Sequence, residues 1–173
     1  MRDCAKTFEP EMSKQEMGLL LEILAGRNLK GTHLEIGTAA GGTLCRLIQF
    51  YREEFSEPPG FMVIDPFEYF PSQFDATCEN LSNHGIDHGV VQFHKTTSSQ
   101  AFRETLSAPP ALDFILIDGN HKVRHVTEDL RWTRYLNTKG LVCVHDYSPA
   151  QLGVLLSVDR FLAKNPNYRK VAQ

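Results

Sequence analysis

The chain has no Cys-x-x-Cys pair, no block of basic residues, no low-complexity tract and no internal repeat across its 173 residues. Each absence closes a class. With no basic block and a formal net charge of −3, nothing points to nucleic acid or to an anionic membrane surface as a partner. No apolar run approaches the length of a membrane span, and the opening Met-Arg-Asp-Cys-Ala-Lys lacks the apolar core of a secretion signal. The four cysteines, Cys4, Cys45, Cys78 and Cys143, are too scattered for a metal knuckle or a redox pair. Cys45 and Cys143 sit in apolar segments, so buried free thiols in a reducing, cytoplasmic setting are expected. A chain of this length is expected to form one domain, residues 1–173, with residues 1–30 as an N-terminal helix or lid segment.

What is present is organised around Thr32 to Thr43. This stretch reads as a short strand, His33 to Ile36, running into a glycine turn and then a helix. Apolar residues at Leu44, Leu47, Ile48, Tyr51 and Phe55 give the one-sided spacing of that helix. Glycines at 37, 41 and 42 allow positive φ and let a ligand lie against bare backbone, so Gly37, Thr38, Ala39 and Gly41 form a candidate cradle. The dinucleotide fingerprint Gly-x-Gly-x-x-Gly would need a glycine at position 39, where Ala39 stands. The acid before the turn, Glu35, suits a ligand with a positive amino group better than two phosphates. Together these favour S-adenosylmethionine over a dinucleotide, with a plain structural turn as the alternative.

The rest of the chain alternates helices with apolar strands. Ser13 and Glu16 make a capping box for a leading helix, Lys14 to Ala25. Strands are expected at Phe61–Ile64, Val90–Phe93, Leu112–Ile117 and Leu141–Val144, the last entered through a turn at Asn137–Gly140. Helices are expected from about Ser72 within residues 67–84 and from Ser98 or Ser99 to Leu106. Another should carry Val123, Val126, Leu130 and Thr133 on one side. The last, capped by Ser148 with Pro149 in its first turn, should end near Asn165-Pro166. Tyr168 to Ala172 would begin a sixth strand. The pattern predicts an α/β fold, a Rossmann-like three-layer sandwich on a mostly parallel sheet.

In such a sheet ligands bind at the carboxyl ends of the strands. Here those ends carry Glu35, Asp65 with Pro66, Asp118 with Gly119, and His145-Asp146. Asp65 can take both hydroxyls of a ribose, or simply cap the chain before Pro66. If the fourth and fifth strands are neighbours, Asp118, His121, His145 and Asp146 converge. Asp118, Asp146 and His145 could then hold a divalent ion, Mg²⁺, or Mn²⁺ or Fe²⁺ where imidazole ligates. Without a metal, His121 or His145 is the natural general base. The bland alternative has both acids capping helices. His125 lies four residues after His121, but without the glutamate of a zinc-peptidase motif this reads as a solvated helix start. His33, His84, His88 and His94 are expected to be structural.

Taken together, Leu34 to Thr43, Val63 to Asp65, Phe114 to His121 and Gly140 to Tyr147 resemble class I S-adenosylmethionine-dependent methyltransferases. The nearest group is the small-molecule O-methyltransferases with an Ile-Asp-Gly-x-His segment and a terminal His-Asp. The resemblance runs from about residue 30 to 165. It implies that Glu35 and Gly37 flank the methionine part of the cofactor, that Asp65 binds its ribose, and that Thr97, Ser98 and Ser99 stand where the adenine is held. It also implies metal ligation by Asp118 and Asp146, although Tyr147 replaces the Asn that follows the second acid in catechol-type relatives. His121 or His145 would supply the missing ligand. The family's sheet has seven strands; this chain is expected to lack the last, and an exposed sheet edge favours a homodimer. The implied reaction is methyl transfer to a small-molecule acceptor. Aromatics at Phe67, Tyr69, Phe70 and Tyr147 are candidates to face that acceptor, or to pack as core and lid. Two alternatives share the fold: a metal-dependent oxygenase of the cephalosporin hydroxylase type, and a non-catalytic cofactor-binding module.

Overall fold

A computed structural model describes residues 9–27 and 29–172; Cys4 and the opening residues lie outside this range. The element order is α1 (Lys14–Ala25), β1 (Thr32–Ile36), α2 (Gly42–Glu54), β2 (Phe61–Ile64), α3 (Gln73–Asn83), β3 (Val91–His94), α4 (Ser98–Glu104), β4 (Leu112–Ile117), α5 (Val123–Asp129), β5 (Leu136–Val144) and α6 (Leu152–Lys164). Short 3-10 turns precede β3, follow α4 and extend α5 to Tyr135. The five strands form one sheet in the order β3-β2-β1-β4-β5, and every pairing is parallel. The sheet is thus wholly parallel among the described residues, where the sequence predicts a mostly parallel one.

The strands pair in parallel because they are apolar on both faces. In β1, Leu34 and Ile36 enter the cluster with Phe102, Ile115, Val126, Trp132 and Val154. Alternation sends His33 and Glu35 to the opposite face, among Leu44, Ile48, Tyr51, Val63 and Phe114. The period of two thus forces a titratable pair onto a dry face. Trp132 crosses Phe102 edge to face at 5.4 Å, a pairing that contributes about 1 kcal/mol beyond burial. Ser13 and Glu16 form the capping box, so the leading helix starts where the sequence places it.

Three expectations need correction. Asn137–Gly140 is not a turn before the fifth strand but its bulged first half, with Lys139 at φ +75° and Asn137 donating to Asp113 Oδ1 at 2.7 Å. Ser148 does not cap the last helix: residues 146–150 form a tight turn, Ser148 N–H donates to Asp146 O at 2.7 Å, and α6 starts later after Gln151. No sixth strand forms at Tyr168–Ala172. That segment docks instead through Tyr168, whose hydroxyl donates to Thr133 O at 3.2 Å and whose ring packs on Phe161.

Candidate active site

The order reverses between β1 and β4, so their carboxyl ends open a crevice. Gly37 sits at its floor with φ +83°, and a Cβ there would lie 2.5 Å from Asp118 O. Only glycine lets the two strand ends touch in this way. The turn continues through Ala39 at φ +45° to Gly41 at φ +79°, the N-cap of α2. A left-handed alanine is strained, and α3 holds it. Gln73 Nε2 and Thr77 Oγ1 donate to Ala39 O at 3.0 and 3.2 Å, and Asn80 Nδ2 donates to Ala40 O at 2.9 Å. All three side chains are buried. Sequence reasoning missed them; the available signal was three polar residues at i, i+4 and i+7 on an otherwise ordinary helix.

Two acids flank the turn. Thr38 N–H donates to Asp65 Oδ2 at 2.9 Å and Phe67 N–H to Oδ1 at 2.6 Å, which locks the carboxylate at the end of β2 against the cradle. Burial raises its pKa while those amides hold it back. Glu35 is 4 % exposed, and its Oε2 has no hydrogen-bond partner among the described residues. Burial pushes its pKa up to about 8, and the Asp118 and Asp65 charges add to the rise. The Thr38 side chain holds that rise back, and a buried carboxyl with one oxygen unpartnered beside a bare turn fits a cationic ligand group. Glu35, Gly37, Thr38, Ala39 and Asp118 line one narrow pocket with Ala40, Gly42, Thr43, Glu9 and Glu11.

The predicted convergence at β4 and β5 occurs. His145 Nδ1 lies 2.8 Å from Asp118 Oδ1 and 3.6 Å from Asp146 Oδ2, while His121 Nε2 lies 3.3 Å from Asp146 Oδ2. Glu16 of α1 approaches His145 Nε2 at 4.0 Å. The Asp118 hydrogen bond, with the charges of Asp118, Asp146 and Glu16, raises the His145 pKa to about 9 against the opposing effect of burial. Asp146 takes φ +57°, a strained setting that aims its carboxylate back at both imidazoles. Asp118, His145 and Asp146 each offer a ligand atom within 4.8 Å of the others. Two carboxylates with one imidazole suit Mn²⁺ or Fe²⁺ better than Mg²⁺.

Several candidates stand elsewhere. Thr97 caps α4, Ser98 Oγ accepts from Trp132 Nε1 at 3.0 Å, and Ser99 Oγ accepts from Arg103 at 3.1 Å; none of the three lines the glycine-turn pocket. Tyr147 OH donates to Asp159 Oδ1 at 2.7 Å and accepts from Lys170, so its hydroxyl is tied to α6 and the segment after it. Phe67 packs with Phe74 and Phe93, and Tyr69 is 65 % exposed. His33 is buried among Tyr51, Phe61 and Phe114, with both ring nitrogens unpartnered among the described residues.

A family model described as a methyltransferase domain matches residues 34–147, from β1 to the residue after the His145-Asp146 pair. The chain belongs to this methyltransferase-domain family. The class I S-adenosylmethionine-dependent resemblance read from the motifs therefore stands, and the methyltransferase domain's match spans every strand of the sheet. Solved structures share the fold. A TDP-rhamnose 3'-O-methyltransferase of calicheamicin biosynthesis superposes with a TM-score of 0.69 at 15 % identity, over 87 % of this chain and 72 % of that one. The O-methyltransferase TomG from Streptomyces achromogenes, solved with SAM, gives 0.67 at 18 % identity, over 91 % and 70 %. An O-methyltransferase from Bacillus cereus, solved with SAH, gives 0.68 at 14 %, over 88 % and 71 %. No curated protein matches the chain.

Proposed function

We propose that this methyltransferase domain moves a methyl group from S-adenosylmethionine to an oxygen of a small-molecule acceptor. The observation that carries the reading is that one crevice joins two halves of a reaction. The glycine turn lies between Glu35 and Asp65, and Asp118 belongs both to the turn's pocket and to the histidine–aspartate cluster. In this reading Asp65 takes the ribose hydroxyls, the Gly37–Gly41 backbone with Thr38 and Ala39 supports the amino-acid part, and Glu35 faces its ammonium. Pro66 and Gly119 close the two strand ends beside it. Thr97, Ser98 and Ser99 start α4, with the adenine beyond them. The donor supplies a methyl on sulfonium, open to in-line attack when acceptor and donor are held in contact.

The acceptor's O–H proton must leave as the O–CH₃ bond forms and the S–CH₃ bond breaks. Without a metal, the Asp118 hydrogen bond and the nearby carboxylates favour the protonated His145 ring and make it a poor base. His121 is the better base: Asp146 occupies its Nε2 side and leaves Nδ1 to accept. A divalent ion held by Asp118, Asp146 and a His145 that has given up its proton would supply Lewis acidity toward the acceptor oxygen. The same donor set suits iron, which keeps an oxygenase in view as a second reading; that enzyme would require Fe²⁺ and dioxygen. The unpaired cysteines fit a reducing, cytoplasmic compartment, and a second copy would cover the open sheet edge.

Two measurements test the proposal. Calorimetry should detect S-adenosylhomocysteine binding, and an acceptor panel with and without Mn²⁺ should show methyl transfer. Asp146→Ala should abolish turnover and leave nucleoside affinity within about twofold. Full turnover in that variant would remove the cluster from the chemistry.

A further inference from the structure

The residues ahead of α1 do more than lead into it. Met12 is buried in the core cluster on the α1–α2 face, and Ser13 is fixed by the capping box, so the chain at Glu9–Glu11 is anchored on its C-terminal side. It runs directly across the start of α2. A Cβ added at Gly42 would overlap the Glu9 carbonyl and the Pro10 nitrogen, so the second glycine of the Gly41-Gly42 pair is explained by this strap. The strap roofs the pocket whose floor is the glycine turn, and Glu9 and Glu11 line it opposite Glu35 and Asp118. Four carboxyl groups line one narrow pocket with no lysine or arginine among its lining residues; Asp118 is paired with His145 from outside it, which leaves Glu9, Glu11 and Glu35 to meet a positive occupant.

The second observation is independent of that cluster. Glu35 is buried, lines the same pocket, and leaves Oε2 without a partner. The Thr38 side chain is the one donor that lowers its pKa, and Oε2 is left for a further donor from a ligand. Glu11 stands on the solvent side of the same space and Glu35 on the dry side.

We infer that Glu11 is a cofactor-recognition residue: the Glu9–Met12 strap closes over the methionine end of the nucleoside cofactor, and Glu11 and Glu35 bracket its α-ammonium from opposite sides. The inference rests on the cofactor reading proposed above. The strap's carboxylates already line the pocket, and Met12 and the capping box hold the strap to α1. The same geometry gives the cradle a preference for a cationic amino-acid tail over a bare nucleoside.

The test is calorimetry with two probes on the whole chain. S-adenosylhomocysteine carries the α-ammonium; 5'-methylthioadenosine is the corresponding thioether nucleoside without the amino acid. Glu11→Gln should weaken the first about fivefold, as for a solvent-exposed ion pair, and leave the second unchanged. Gly42→Ala, which displaces the strap, should cause a similar loss for the first probe, and the double variant should lose no more than either alone. Equal weakening of both probes would make Glu11 a folding residue and overturn the inference. Unchanged or tighter S-adenosylhomocysteine binding would also overturn it, tighter binding meaning that Glu11 faces the ligand's carboxylate. Loss of Mn²⁺ affinity alone would assign Glu11 to a metal and overturn it too. If the wild type binds neither probe, the cofactor reading itself falls.

Discussion

Asp65 and His33 show how much a single side chain carries here. Asp65 accepts two backbone amides, Thr38 and Phe67, and thereby ties the ends of β1 and β2 together before any ligand arrives. Each oxygen keeps a lone pair for a ribose hydroxyl. Asp65→Ala should therefore weaken S-adenosylhomocysteine about a hundredfold, the worth of one to two hydrogen bonds to a charged group, and lower the Tm by several degrees. Unchanged affinity in calorimetry would remove the ribose role. His33 acts only on stability. Burial lowers its pKa from 6.5 to about 3, against a small opposing effect of Asp113. Between those values the unfolded chain binds a proton that the fold refuses. Above pH 6.5 its burial carries no proton-linked cost, and its contribution to stability falls as the pH drops from 6.5 toward 3, by about 1.4 kcal/mol per unit at most. The buried carboxyls Glu35 and Asp129, raised to about 8 and about 7, gain stability over the same interval, so His33 shows as a difference: the change in urea midpoint from pH 7 to pH 5 should be more favourable in His33→Phe than in the wild type, and equal changes would remove His33 from the acid response.

Among the elements, α3 has the role that its sequence concealed. The stretch before it is rich in aromatics, and Phe67 of that stretch packs on Phe74 of α3 as core. Its contribution lies in Gln73, Thr77 and Asn80, polar residues turned inward to hold the carbonyls of Ala39 and Ala40. The strands and the leading helix were legible because burial on both faces writes continuous apolar runs and a capping box writes its own start. The turn into β5 and the onset of α6 were not. Both depend on left-handed residues, Lys139 and Asp146, whose conformation is imposed by neighbours in space. Gln73→Ala should remove one restraint on the strained Ala39. The expected result is a loss of about fivefold in nucleoside affinity and about 1 kcal/mol in stability. A variant with wild-type affinity would show that Thr77 alone suffices to hold the turn.

At the scale of the whole molecule, the sheet ends at β5, whose outer edge has no strand beside it among the described residues. The site's cluster was legible because adjacency of β4 and β5 is all it needs; what lies against the outer edge of β5 is not written in the residue pattern. His145 N–H donates to Ile117 O at 3.0 Å. By the ladder's period of two, the amides of Val142 and Val144 point away from β4 toward the open side. Such an edge templates pairing with another chain, and a two-fold pair of β5 strands would extend the sheet across both copies. Light scattering should then give twice the 19.6 kDa chain mass at micromolar concentration. Val142→Pro deletes an outward amide and no bond to β4, so the fold should survive, as prolines do on edge strands. That variant should scatter as a single chain with an unchanged far-UV spectrum. A Val142→Pro protein that still doubles its mass would move the interface off β5, and a wild type of single-chain mass at every concentration would end the dimer.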